Sequence, residues 1–336
     1  MANGGLISIG LCADTHYWPQ GHNFVTSDGS LQLQGSTQDL LATLFQELRR
    51  ARLDMVLHLG DLTCGGGTYD MAPDVFTTTV VDLYRNYQSL DLPVYVLPGN
   101  HDSLPGAGGW EVFHDVWGLE PGLGTTIDLP LARLVLLNTH GHSPAQIAQA
   151  QEFDPVYGWV SDAELERLDT ALATAGDMPV LIFTHQLLAP WSNQVDWHDY
   201  FAVRNAAAVR AVLSRYSNVG AVFQAHAHRF DVRRLTLGKH ECTFVILPSL
   251  IEYPLAWVQL DLAPNLLRMR LRQLPLPDLR EASRTSGSGQ EWRAGRPEWW
   301  DLTIPLRPAP LHSTAAPPGA ISSSVHPDSV PLDSRR

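Results

Sequence analysis

Cysteine is scarce: Cys12, Cys64 and Cys242 are the only three in 336 residues. That excludes a disulfide framework of the kind small secreted domains use. Basic residues are also few. Lys and Arg total 23 against 35 Asp and Glu, a formal net charge of −12. Such a balance suits neither the backbone of a long nucleic acid nor an anionic membrane surface. No apolar run is long enough for a membrane-spanning helix. The start, MANGGLISIGLCADTH, lacks the basic segment of a secretory signal, and its apolar run is short. The expectation is a cytoplasmic protein with no long nucleic acid and no membrane as partner. There is no internal repeat, and no Gly-Lys-Ser/Thr follows Gly65-Gly66-Gly67, so that run is not a P-loop.

What is present is a globular composition, 44% hydrophobic and 17% charged, with enough apolar residue to build a large core. Short β-rich runs occur at 6–13, 54–59, 94–97, 134–138, 180–184 and 219–224. Amphipathic helical runs lie at 37–52, 74–90, 161–175 and 204–216, the third opening with Ser161 and Glu164 in a capping-box spacing. Three further strands, 243–247, 255–260 and 267–271, follow without helices between them. This order predicts α/β layers with a mixed sheet or two packed sheets. A catalytic domain over 1–275 is expected. Residues 276–336 read as a Pro/Ser-rich extension: RTSGSGQ at 284–290 as a flexible link, 298–306 as a docked edge strand, and 308–336 as mobile.

The chemistry-bearing residues stand just after the strands. They are Asp14 and His16, then Asp61 after Gly60, then Asn100, His101 and Asp102 after Gly99, then His185, then His226 and His228. The carboxyl ends of strands form the ligand-binding edge of α/β sheets. In an extended segment, residues i and i+2 face one side, so Asp14 with His16 and His226 with His228 are expected to converge. Seven nitrogen and oxygen donors without a thiolate exceed one ion's needs. Two divalent metals are therefore expected, Mn or Fe ahead of Zn or Mg, with Asp61 suited to bridge them. His101 is left over as an acid or substrate contact.

These five blocks, D-x-H, G-D, G-N-H-D, a lone His and H-x-H, make the chain resemble the calcineurin-like metallophosphoesterases over residues 6–262. It is similar to their cyclic-nucleotide and glycerophosphodiester phosphodiesterase branch. Ala225 stands where the family usually has Gly. The resemblance implies a four-layer α/β/β/α sandwich of two mixed sheets, whereas the element order alone also allows three layers. It implies one metal on Asp14, His16, Asp61 and His228, and a second on Asp61, Asn100, His185 and His226. It further implies that a hydroxide shared by the metals attacks phosphorus in line, His101 assists the leaving oxygen, and Asp102 orients His101.

The expected activity is hydrolysis of a small phosphodiester. A phosphomonoesterase or nucleotide pyrophosphatase on the same site is the first alternative, and a non-catalytic metal-binding scaffold is the second. The family often dimerises, so a homodimer is an allowed partner state. His22, His140, His142 and His198 are candidate substrate contacts, each weighed against a solvated or packed loop. His58 reads as core and His240 as exposed.

Overall fold

Most strand runs in this chain are apolar on both faces, which requires layers on both sides of each sheet. The computed structural model, which describes residues 5–67, 69–106, 108–142, 156–194 and 197–306, has that architecture. The first sheet has the order β14-β13-β12-β1-β4-β5. Its strands are β1 (Ile7–Cys12), β4 (Met55–His58), β5 (Val94–Val96), β12 (Ala256–Ala263), β13 (Leu266–Gln273) and β14 (Asp301–Pro305). The second has the order β10-β11-β9-β8-β7-β6. It is built from β6 (Thr125–Asp128), β7 (Arg133–Leu136), β8 (Val180–Phe183), β9 (Val219–Gln224), β10 (Asp231–Leu237) and β11 (His240–Ile246). Both are mixed: β1 runs parallel to β4 and antiparallel to β12, and β9 runs parallel to β8 and β11.

The side-chain period of two sorts residues between layers. Leu181 and Phe183 of β8 point into the space between the sheets, where they meet Ile9, Leu11, Leu57, Val258 and Leu260. Val180 and Ile182 point outward, onto Leu168 and Leu172 of one helix and Val209 and Leu213 of another. Helix α1 (Thr37–Arg50) and helix α2 (Pro73–Gln88) cover the other sheet, with Leu40, Leu44, Leu48, Val80 and Leu83 on Val56 and Val96. The result is the four-layer α/β/β/α sandwich. Helix α3 (Glu111–Trp117) and helix α4 (Asp162–Thr174) follow, then helix α5 (Ala206–Leu213). Half of the capping box forms: Ser161 accepts from the Glu164 amide at 3.1 Å. The Glu164 carboxylate turns inward to accept from the Asn138 amide and pair with Arg167. Among the described residues no helix is long and apolar enough to cross a membrane.

Several elements differ from expectation. A small hairpin, β2 (Phe24–Val25) and β3 (Leu31–Gln32), and helix α6 (Pro277–Arg284) had no clear periodic signal. The segment 284–290, read as a flexible link, is pinned: Ser286 Oγ accepts from the Leu31 amide at 2.9 Å, and Gly287 lies against Gly29. His240 is buried at the start of β11, not exposed, because the tight β10–β11 hairpin folds it under. β14 pairs antiparallel with β13. The tail 308–336 lies outside the described residues.

Candidate metal centre

The site forms where the carboxyl ends of β1, β4, β5, β8 and β9 meet, and backbone hydrogen bonds tie the loops together. The amide of Asp14 donates to Gly60 O at 3.0 Å, His16 to Asp61 O at 3.0 Å, and Ala225 to His185 O at 2.9 Å. The local conformation is not the extended one expected from i, i+2 spacing. Asp14, His16, Asp61, His226 and His228 all have positive φ, between 43° and 65°. Convergence comes from left-handed turns, each costing a non-glycine residue roughly 1–2 kcal/mol. Two glycines make room. A Cβ on Gly60 (φ 93°) would stand 2.6 Å from His185 Nδ1, and one on Gly99 would stand 2.2 Å from the Asp61 amide nitrogen and Oδ1.

The side chains gather into two groups sharing Asp61: Asp14, His16, Asp61 and His228, and Asp61, His185 and His226. In each group the donor atoms lie within 4.8 Å of one another. His16 Nε2 lies 3.0 Å from His228 Nε2, and Asp61 Oδ2 is 3.7 Å from His16 Nε2 and 3.3 Å from His185 Nε2. Asn100 Oδ1 stands 3.2 Å from His185 Nε2. The outer nitrogens show which face each ring presents. His185 Nδ1 donates to Leu59 O at 2.6 Å, and His228 Nδ1 donates to the Glu252 carboxylate. With Nδ1 turned outward to an acceptor, the Nε2 of each ring is the nitrogen that faces the cluster.

These groups fit divalent cations. Among the described residues Asp14 Oδ1 and His226 Nε2 are buried without a hydrogen-bond partner, Asp14 Oδ1 lying 3.4 Å from His228 Nε2. Buried polar atoms are rarely left so unless an ion or water completes them. Burial pushes the His16 and His226 imidazoles well below their ordinary value, which keeps them neutral, the form in which a ring nitrogen could ligate an ion. Burial also opposes charge on Asp61, but His185 and His101 outweigh it and hold the carboxyl well below the usual range. His185 goes the other way: burial lowers it, yet Asp61 and Asp14 raise it to about 9. The pocket is thus organised around positive charge.

His101 lies beside the cluster. Its amide donates to Asp61 Oδ1 at 2.8 Å, and its Nδ1 donates to Gly66 O at 2.7 Å. No hydrogen bond joins the Asp102 carboxylate to the His101 ring among the described residues. The buried carboxylate accepts instead from the amides of Gly99, Leu62 and Thr63 at 2.8–3.2 Å, fastening the loop after β5 to the loop after β4. Burial, then Asp61, raises Asp102 to about 7.

A cavity of about 1090 Å³ opens over the cluster, lined by Asp61, Asn100, His101, His226 and His228 together with Phe24, Tyr69, Trp191, Tyr200 and Phe201. Of the four histidines expected to contact substrate, His198 lines it. His22 is exposed against Trp18. His140 is buried and stacked on Trp110, and His142 stacks on the same ring farther out, so neither lines the cavity. Sequence reasoning missed Glu252, Arg293 and Trp292, which do line it. Glu252 gave a usable signal as a lone acid in the apolar run ILPSLIEYPLAW, where a charge must find a partner.

A family model described as calcineurin-like phosphoesterase matches residues 7–230. A 3′,5′-cyclic-nucleotide phosphodiesterase from Nostoc sp. is 27% identical over 238 residues, covering 70% of this chain and 76% of its own length. A glycerophosphodiester phosphodiesterase from Enterobacter lignolyticus is 26% identical over 252 residues, 71% of this chain and 76% of the relative. Among solved structures, a dimetal phosphatase from Danio rerio superposes with a TM-score of 0.64 at 18% identity, covering 90% of this chain and all of that one.

Proposed function

The chain belongs to the calcineurin-like phosphoesterase family and is a metal-dependent phosphoric ester hydrolase, and from that premise we propose that its substrate is a small phosphodiester. The observation that carries the diester reading is that the cavity has an aromatic wall at each end of the cluster. Tyr69 packs beside His101 and His16, with ring centroids 4.7 and 5.6 Å away. Phe201 packs beside His226 at 5.6 Å. A phosphoryl group over Asp61 would then have one ester substituent against Tyr69 and the other against Phe201. A monoester would leave one wall unused. The names of the Nostoc and Enterobacter relatives support the same reading.

In this reading Asp14, His16, Asp61 and His228 hold one divalent cation. Asp61, Asn100, His185 and His226 hold the other. Nitrogen and oxygen donors without thiolate favour Mn or Fe, with Zn or Mg also accommodated. Bound cations supply Lewis acidity and a nucleophile from water at neutral pH. The chain's own residues do the rest. The Asp102 carboxylate and the left-handed turns keep Asp61 in place. The Gly65 and Gly66 carbonyls hold the Nδ1 proton of His101, so Nε2 is the atom left to face the departing oxygen, and the doubly protonated ring would give it the Nε2 proton while keeping the one on Nδ1. The aromatic walls exclude water and orient the ester groups.

The test is a substrate panel of matched aryl diester and aryl monoester with Mn, Fe, Zn and Mg. The diester is expected to have the higher kcat/KM by about tenfold or more. A monoester preference would overturn the diester reading while leaving the hydrolase assignment intact.

A further inference from the structure

One contact in the site lies outside the five ligand blocks and comes from the part of the chain read as an extension. Arg293 sits in the short helical turn Glu291–Ala294, after β13 and α6, and is buried with 8% exposure. Its guanidinium reaches back to the ligand loop after β9. Nη1 donates to the backbone carbonyl of His228 at 2.8 Å, and Nη2 pairs with Glu252 Oε1 at 2.9 Å. The other Glu252 oxygen accepts from His228 Nδ1. Gln290 Oε1 accepts from Arg293 Nε at 2.8 Å, and Trp292 stacks on the guanidinium with its centroid 4.4 Å away. A single planar fork therefore holds His228 twice: directly at its carbonyl, and through Glu252 at its ring.

We propose that Glu252 and Arg293 are positioning residues that set cation affinity at the Asp14/His16/Asp61/His228 group, and that Arg293 makes the C-terminal segment a working part of the site. This rests on the metal-centre reading above. The physical reason is geometric. The His228 backbone stands at φ 49°, a conformation the chain does not hold unaided. The Nδ1 bond to Glu252 sets which edge of its ring faces Asp14 and His16. Glu252 fixes the ring, and being fully buried it needs a cationic partner of its own, which Arg293 supplies. Lysine cannot replace the fork, because a point charge reaches Glu252 or the His228 carbonyl but does not span both in one plane. The second group, His185 and His226, has a separate brace in the Leu59 carbonyl and does not depend on Arg293.

The test is Mn²⁺ titration by calorimetry into the metal-free full-length chain, with electron paramagnetic resonance to separate a coupled ion pair from a single ion. Wild type is expected to take two equivalents and show the coupled signal. Glu252→Ala and Arg293→Ala are expected to weaken one equivalent about 10- to 100-fold and leave the other at the wild-type value. Under limiting Mn²⁺ the spectrum becomes that of an isolated ion. Arg293→Lys should fall between wild type and Arg293→Ala. Should the alanine variants not fold, Glu252→Gln and Arg293→Lys carry the same comparison. Two equivalents at wild-type affinity in the folded variants, or equal weakening of both, would overturn the proposal. A wild-type chain that binds no Mn²⁺ would overturn the metal-centre reading itself and the proposal with it.

Discussion

In the proposed mechanism, replacing His101 by alanine would separate proton delivery from metal holding, because the backbone amide and the ring make different contacts. The backbone amide, which donates to Asp61 Oδ1 at 2.8 Å, survives the substitution. The imidazole, whose Nδ1 faces Gly66 O at 2.7 Å and Gly65 O at 3.0 Å, does not. Asp61 should therefore stay in place and both cations should be retained. Loss of the ring leaves the buried Gly65 and Gly66 carbonyls without their shared donor, a cost of roughly 1–3 kcal/mol in stability. The catalytic cost is larger. A positioned acid contributes about 10²–10⁴ in rate, equivalent to roughly 3–5 kcal/mol of barrier. Its size depends on the leaving group: an alkoxide needs the proton, whereas a nitrophenolate departs largely without it. The assay is steady-state kcat for two diesters sharing one retained group, one losing an alkoxide and one a nitrophenolate, alongside metal analysis. The alkoxide substrate should suffer at least tenfold more. Equal losses for both substrates would refute proton delivery by His101, as would a kcat unaltered for both.

Asp61→Ala should empty both groups, since its carboxylate belongs to each; mass-spectrometric metal analysis showing one full equivalent retained would contradict sharing. Gly99→Ala places a Cβ 2.2 Å from Asp61 Oδ1 and should cost both metal content and melting temperature, whereas a variant with wild-type values for both would show that the loop yields. His58 is buried, and burial lowers its imidazole from 6.5 to about 3. The unfolded chain then takes up a proton that the folded chain refuses, so the stability contributed by neutral His58 is full above pH 6.5 and lost as pH falls towards 3. His58→Gln should flatten the melting-temperature profile across that window, and an unchanged slope in calorimetry would discard the argument.

The layers were readable because strands buried on both faces leave continuous apolar runs, such as VLIF at 180–183, and helices between them carry a 3.6-residue stripe. The clustering of the candidate ligand residues was readable for a related reason: each follows a strand, and the chemistry allows few residue types. What the pattern could not show was the backbone at those residues. Spacing alone made Asp14 and His16 look extended, but φ of 51° and 43° arises from hydrogen bonds to Gly60 and Asp61, far away in sequence. The glycines of RTSGSGQ misled in the opposite sense. Gly287 and Gly289 have φ of 56° and 96°, and Gly287 touches Gly29, so glycine there serves a tight turn and a close approach rather than flexibility. Arg293 was hidden by the same composition. The roles of His140 and His142 depended on Trp110, a stacking partner no local pattern predicts.

The placement of β1 also governs when the site can exist during synthesis. β1 lies between β4, made soon afterwards, and β12 (Ala256–Ala263), made much later. Asp14 receives the amide of His226, 212 positions later, and its carbonyl waits for Ser249. At about 5–20 residues per second, the first ligand residue is exposed on the nascent chain for on the order of ten seconds or more before its partners emerge. Glu252 and Arg293 follow later still. A ribosome-bound intermediate holding the first three ligand blocks would thus carry carboxylates and imidazoles without the brace that aims them. In the proposed centre, cation retention would then wait for the segments that carry His226, Glu252 and Arg293.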